Sequence, residues 1–308
     1  MTRYLYCASL GCALLLAACT EHPTDPASLL PPAFAAHLDT ADLATQPLAG
    51  DGVGYGLARA QTDSGAVLLQ WVDLRHVRLR HVLGVADTTA EVQPGFYHPT
   101  ASSPAFALLN GEGIVATRID QHPPARALMN AAFFETPGEP TSALAFPLAV
   151  DGTVVSGGSS PYGPGRPGAD TTRWGQLLRV LAFADSTVQV TPYDHVTGEP
   201  LGSEPFADAI VSYAPESHPS RVATRYHVLG PLDADPGKRG PILLIATSDG
   251  STTIAPLAAL MTRLGVRSET QMTVDGGASV FLWTPGTGVV ERPSGDQPLP
   301  HYLAVEAR

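Results

Sequence analysis

Beyond Gly54 the chain is written in short apolar runs separated by clusters of Gly, Pro, Asp and Ser. Such runs, bounded by turn-forming residues, predict strands. They fall at 66–72, 77–83, 113–117, 127–133, 146–150, 177–183, 187–191, 209–213, 222–228, 242–246, 271–274, 280–283 and 302–305. Asp151-Gly152, between two of them, predicts a tight hairpin turn. One stretch follows a different period. Leu257, Leu260, Met261 and Leu264 recur every three or four residues and mark one face of a helix over 256–264. Pro256 suits its first turn and Gly265 its end. With the strands at 242–246 and 271–274, this helix predicts a βαβ crossover near the C-terminus. The expected class is α+β, built on a large mixed β-sheet with a few helices. No internal repeat of fixed period is visible.

Residues 20–50 lack a sustained period and are rich in Pro, Ala, Thr and Asp, the composition of a flexible tether. The folded domain is therefore expected over 51–308. Residues 157–168 are rich in Gly, Pro and Ser and read as a long exposed loop bordering the active site. The loop contains Gly163-x-Gly165-x-x-Gly168, formally a dinucleotide fingerprint. Pro164 and Pro167 remove backbone donors, and no strand or helix flanks the glycines as phosphate binding requires.

The first residues change the picture of where the protein works. A short basic start to Arg3 precedes an apolar run through Leu14, Leu15 and Leu16, then small residues before Cys19. This is the layout of a secretory signal. It resembles the bacterial lipoprotein lipobox, which implies a 1–19 leader and an acylated Cys19 at the start of the mature chain. The run is shorter than the roughly 20 apolar residues that cross a bilayer. The lipid would tether an exported domain to a membrane, and Thr20 after the cysteine points to the outer membrane or cell surface. Cys7, Cys12 and Cys19 are the only cysteines, so the mature domain forms no internal disulfide and no cysteine-ligated zinc site. The full chain has a formal net charge of −11; losing Arg3 with the leader leaves 17 basic against 29 acidic residues, or −12. Such a surface repels nucleic acid and anionic headgroups, which removes both as main partners.

The chain has no Gly-x-Ser-x-Gly elbow, P-loop or His-Glu-x-x-His motif, and its ten histidines are scattered. Two segments remain. In Met129-Asn130-Ala131-Ala132-Phe133-Phe134-Glu135 an apolar strand delivers an Asn, small residues, aromatics and a carboxylate into a turn. In Met272-Thr273-Val274-Asp275-Gly276-Gly277-Ala278-Ser279 a strand ends in an Asp followed by glycines, whose amides are free to turn toward an anion. Between them lie Arg221-Val222-Ala223, an apolar run from Ile242 to Asp249-Gly250, and the leucine-rich run that closes in Leu264-Gly265.

In order and separation, these segments from Asn130 to about Trp283 resemble the phosphodiester glycosidase family. Ala132 and Ala278 stand where that family has glycine, and Val222 where it has threonine. The added methyls narrow the approach to the backbone. The resemblance implies a hydrolase that cleaves a sugar-1-phosphodiester linkage in an extracytoplasmic glycan or envelope polymer, with a phosphate-linked glycan as partner. It assigns the catalytic carboxylate to Asp275 and the grip on phosphate to Arg221, whose planar fork matches phosphate oxygens. Asn130, Gly276, Gly277 and Ser279 are expected to bind sugar or phosphate. Glu135 is either a second catalytic carboxylate or a solvated turn residue. Asp249 joins the substrate-binding set, as a turn former rather than a catalyst. His218 and His227 flank Arg221, either as proton donors or as surface residues. Of Phe133 and Phe134, one ring packs in the core and the other, taken as Phe134, is free to stack on a sugar, because strand neighbours face opposite ways. No cofactor is implied, and a divalent metal at the phosphate stays open. The alternatives are a non-catalytic polysaccharide-binding surface lipoprotein and a scaffold of an envelope complex.

Overall fold

The computed structural model describes residues 29–90, 104–116, 125–135, 140–155, 178–194, 197–201, 206–218, 222–294 and 297–308. The leader with Cys19, the 157–168 loop and Arg221 lie outside the described residues.

The class is α+β. Strands divide among several sheets in place of one, and the ladder pairings given below are antiparallel. The first sheet orders β1 (Thr45–Gly50), β2 (Tyr55–Thr62), β3 (Gly65–Asp73), β15 (Ile242–Ser248), β14 (His227–Pro231) and β16 (Met272–Val274). The second orders β10 (Thr153–Val154), β9 (Leu148–Val150), β13 (Ala209–Tyr213), β11 (Leu178–Ala184) and β12 (Thr187–Pro192). The third orders β18 (Gly288–Glu291), β17 (Leu282–Thr284), β7 (Ala125–Asn130), β19 (His301–Ala307) and β4 (Val77–Leu83). A small fourth sheet joins β5 (Ala86–Asp87), β6 (Ala105–Ala107) and β8 (Thr141–Ser142).

The three large sheets share one core. Leu68, Leu229 and Ile245 of the first meet Leu181, Val190 and Ile210 of the second and Met129, Leu303 and Val305 of the third. Alternation along β3 shows how a strand serves two layers: Leu68 and Val72 face this core, while Leu69 and Trp71 face helices on the far side. Those helices are α1 (Pro32–Thr40) and α3 (Ile254–Arg263). The crossover is present in split form. Both β15 and β16 run antiparallel to β14, so they are parallel to each other, with α3 spanning the strand between them.

Three expectations need correction. Part of the 20–50 tether is folded: Phe34 and Leu38, one helical turn apart on α1, are buried against the first sheet, and β1 pairs with β2. Within 113–117, expected as a strand, the short helix α2 (Gly111–Ile114) forms instead, because the Asn110 side chain accepts from the Gly113 amide and caps it. The strand expected at 222–228 begins only at His227; Tyr226 N donates to Ser248 Oγ. The Asp151-Gly152 turn is present, with φ of 49° and 78° between paired Val150 and Thr153. No helix among the described residues is long and apolar enough to cross a membrane.

Candidate active site

Two strand ends meet at the edge of the shared core. Asp275 follows β16, and Asn130 closes β7. Asp275 N donates to Ala131 O at 2.7 Å, and Asn130 Nδ2 donates to Asp275 O at 2.7 Å. The two segments singled out in the sequence thus clamp one another through main chain and amide.

Asn130 is 1% exposed and its amide is committed to this clamp. Its Oδ1 accepts from Phe281 N at 2.8 Å and lies 3.0 Å from His227 Nε2. An oxygen in that position makes Nε2 the protonated nitrogen of His227, which leaves Nδ1 to accept from Thr247 Oγ1 at 2.8 Å. Burial, reinforced by the nearby Arg225 charge, drives His227 down to about 3, so it stays a neutral strut. Its expected place at the surface is therefore corrected. His218 is buried too, ringed by Phe133, Tyr213 and Tyr226 at 5.4–5.6 Å between centroids.

The Asp275 carboxyl carries the clearest electrostatic anomaly. Burial pushes it up to about 7; hydrogen bonds from Ser279 and the Gly276 amide pull the other way without cancelling that effect. Its Oδ2 is shut off from solvent and has no hydrogen-bond partner, while the residue as a whole keeps 8% exposure. Buried polar atoms are rarely left unpaired, and an exception on a carboxyl of altered proton affinity marks a candidate site.

The glycine turn differs from the anion cradle expected of it. Gly277 has φ of +64° and its amide donates to Arg225 O at 2.8 Å; Ser279 N donates to Gly276 O at 3.1 Å. A Cβ on Gly276 would lie 2.8 Å from Arg225 O. These glycines serve close packing against the 224–226 segment, and the Gly276 amide serves the Asp275 carboxylate.

The remaining candidates disperse. Glu135 is 2% exposed, so it is not a solvated turn residue; its backbone bonds to Ala143 O and Ser142 Oγ. Phe134, expected to stack on a sugar, packs instead with Leu128, Phe281 and Tyr302, while Phe133 packs with Phe146 and Tyr213. Both rings are core, on opposite sides of the segment. Asp249 pairs with Arg59 at 2.7 Å and lines a cleft of about 320 Å³ between the β2–β3 turn, the loop after β15 and α3. That cleft includes neither Asn130 nor Asp275. Among the described residues, no group of three or more His, Cys, Asp or Glu could hold a metal ion.

Nothing local in the chain signals His301 at this centre, and His227 stands out in the sequence only as a neighbour of Arg221. Asn130 and His227 are 97 residues apart, and Ala132 and His301 are 169 apart.

No family model matches the chain, and no curated protein is similar to it in sequence. Solved structures resemble it at low similarity. A hypothetical protein from Synechocystis aligns at 13% identity and TM-score 0.44 over 86% of this chain and 64% of its own. The catalytic domain of zebrafish N-acetylglucosamine-1-phosphodiester alpha-N-acetylglucosaminidase, auto-inhibited by its pro-peptide, aligns at 13% and 0.47 over 86% and 84%. A protein described as exported, from Burkholderia pseudomallei K96243, aligns at 13% and 0.41 over 82% and 74%.

Proposed function

We propose that this chain is an exported hydrolase that cleaves a sugar-1-phosphodiester linkage, with Asp275 as its acid–base carboxyl. The observation that carries this is the Asp275 carboxyl itself: buried, pushed up to about 7, one oxygen unpaired, and fixed at the backbone by Asn130 and Ala131. A group that titrates near neutrality exchanges protons with water at little cost in either direction. Phosphate leaves readily, so the step asks less of an acid than ordinary glycoside cleavage does. Ionised Asp275 takes a proton from water as its oxygen bonds to the anomeric carbon. The bond from that carbon to the phosphate oxygen breaks, and a phosphomonoester departs with the electron pair. Asn130 acts here as a positioning residue, since its amide is spent on Asp275, His227 and Phe281. Arg221 is the proposed phosphate ligand, Cys19 the lipid anchor, and a phosphate-linked glycan of the envelope the substrate.

One feature favours the alternative of a polysaccharide-binding surface lipoprotein. The Gly277 and Ser279 amides are consumed internally, which leaves the turn a poorer stabiliser of phosphate charge. Assay of the full chain in detergent on aryl phosphodiesters of sugars separates the two. Turnover that Asp275→Asn abolishes while melting is retained supports the hydrolase. Glycan binding with no turnover by the wild type supports the alternative and ends the catalytic assignment.

A further inference from the structure

Outside the carboxyl and its glycine turn, two buried histidines face each other beneath the other side of the Asn130 segment. Ala132 N donates to His301 Nδ1 at 3.1 Å, and His301 Nε2 lies 2.9 Å from His81 Nδ1. His301 is 1% exposed, and the His81 side chain 3%. A backbone amide only donates, so Nδ1 of His301 carries no proton and Nε2 carries one. That proton is given to His81 Nδ1, which in turn places the His81 proton on Nε2. The row ends at His81 Nε2, which lies 4.0 Å from Asp208 Oδ1, beyond hydrogen-bond reach; that oxygen accepts from Asp151 N. Each tautomer in the row is fixed by the one before it.

What this row holds is one peptide group. The carbonyl of Ala131 and the N–H of Ala132 belong to the same planar unit, and in a trans peptide they point in opposite directions. Asp275 N binds the carbonyl side and His301 binds the N–H side. The peptide that receives the Asp275 amide is therefore gripped at both of its edges. Hydrogen bonds in a row polarise one another, so the His81–His301 pair also strengthens the Ala131 carbonyl as an acceptor.

We propose that His301, backed by His81, is a positioning pair for the Asp275 site: through the Ala131–Ala132 peptide it fixes the carboxyl of the proposed hydrolase. Its catalytic consequence rests on that proposed function, but its structural core does not. In the full chain with ¹⁵N-labelled histidine, the imidazole shifts are expected to report a His301 unprotonated at Nδ1 and protonated at Nε2. A protonated Nδ1 overturns the proposal whatever the enzyme does. His301→Leu, which lacks an acceptor, should speed exchange of the Ala132 amide by about tenfold or more, as expected for a lost buried hydrogen bond. It should also shift the Asp275 titration followed by carboxyl ¹³C NMR. His301→Gln, whose amide oxygen accepts from Ala132 N, should restore both toward wild type. Unchanged exchange and titration in a folded His301→Leu overturn the proposal. Should that variant fail to fold, the tautomer and the His301→Gln titration still decide it. If turnover exists, it should fall in His301→Leu through kcat rather than KM and recover in His301→Gln. If no substrate is turned over, the NMR outcomes stand alone, and only the hydrolase assignment fails.

Discussion

At Asp275 a single carboxyl makes a prediction that needs no substrate. Its folded affinity for protons, about 7, lies above the ordinary 3.8, so the folded chain binds a proton that the unfolded chain releases across that interval. Stability from this group is fully present below pH 3.8 and is lost as the pH rises through 7. A tenfold difference in proton affinity corresponds to about 1.4 kcal/mol, so the loss approaches roughly 4 kcal/mol at the upper end. Asp275→Asn has no such contribution, and other groups cancel when variant and wild type are compared. The variant should gain on the wild type progressively in urea melts from pH 4 to pH 8. Parallel stability curves over that range would show that the carboxyl is not held in a desolvated place. Asp275 and Asn130 were legible in the sequence because an Asp-Gly-Gly turn and an Asn at a strand end are local patterns. Their partners were not. His227, Thr247, Phe281 and His301 reach them across long stretches of chain, and nothing local in the sequence distinguishes a buried imidazole strut from a surface histidine.

Elements with their own period are legible in the sequence, and those defined by a partner are not. The 209–213 strand matches β13 in both bounds, and the i, i+3, i+4, i+7 leucines locate α3 to within two residues at its start. By contrast, Phe34 and Leu38 are the only large apolar residues of α1, set among alanines in a proline-rich surround, so its helical face is hidden in tether-like composition. What makes it part of the fold is tertiary: the Phe34 ring stacks on Trp71 at 5.4 Å and 25°. A Cβ on Gly56 of β2 would come within 2.9 Å of Phe34 Cδ1, so only glycine lets the helix lie this close to the sheet. Phe34 is fully buried, and truncating such a ring to Ala typically costs about 3–5 kcal/mol through lost burial and the cavity left behind. Phe34→Ala should therefore lower the urea midpoint sharply, with little change in the slope of the transition. A variant as stable as wild type would mean that residues 32–40 are a tether after all.

Over the whole molecule, the buried imidazoles set the response to acid. His81 is driven down to about 4 and His227 to about 3 by burial, and His301 falls well below its ordinary value for the same reason, helped by the neighbouring His81. Groups depressed in this way stay neutral when folded, so their contribution is intact above pH 6.5 and disappears as the pH falls toward their folded values. Near pH 5 the unfolded chain carries a proton on each of the His81 and His227 rings that the folded chain lacks, His301 acts in the same direction, and the folded chain holds one more on Asp275. Each such ring contributes roughly 1.4 kcal/mol per pH unit toward a stability that falls with acid, and the Asp275 carboxyl opposes them by a similar amount. His81→Gln removes one ring from that balance and should cut the slope by about 1.4 kcal/mol per pH unit. Asp275→Asn removes the opposing proton and should steepen it by a similar amount. Such opposite changes from two single substitutions are hard to produce by general loosening of the fold, which would lower stability at every pH without altering proton uptake. Potentiometric measurement of proton exchange on urea unfolding at pH 5 reads the same balance directly, and net proton release in place of uptake would mean that these rings are solvated and charged in the native chain.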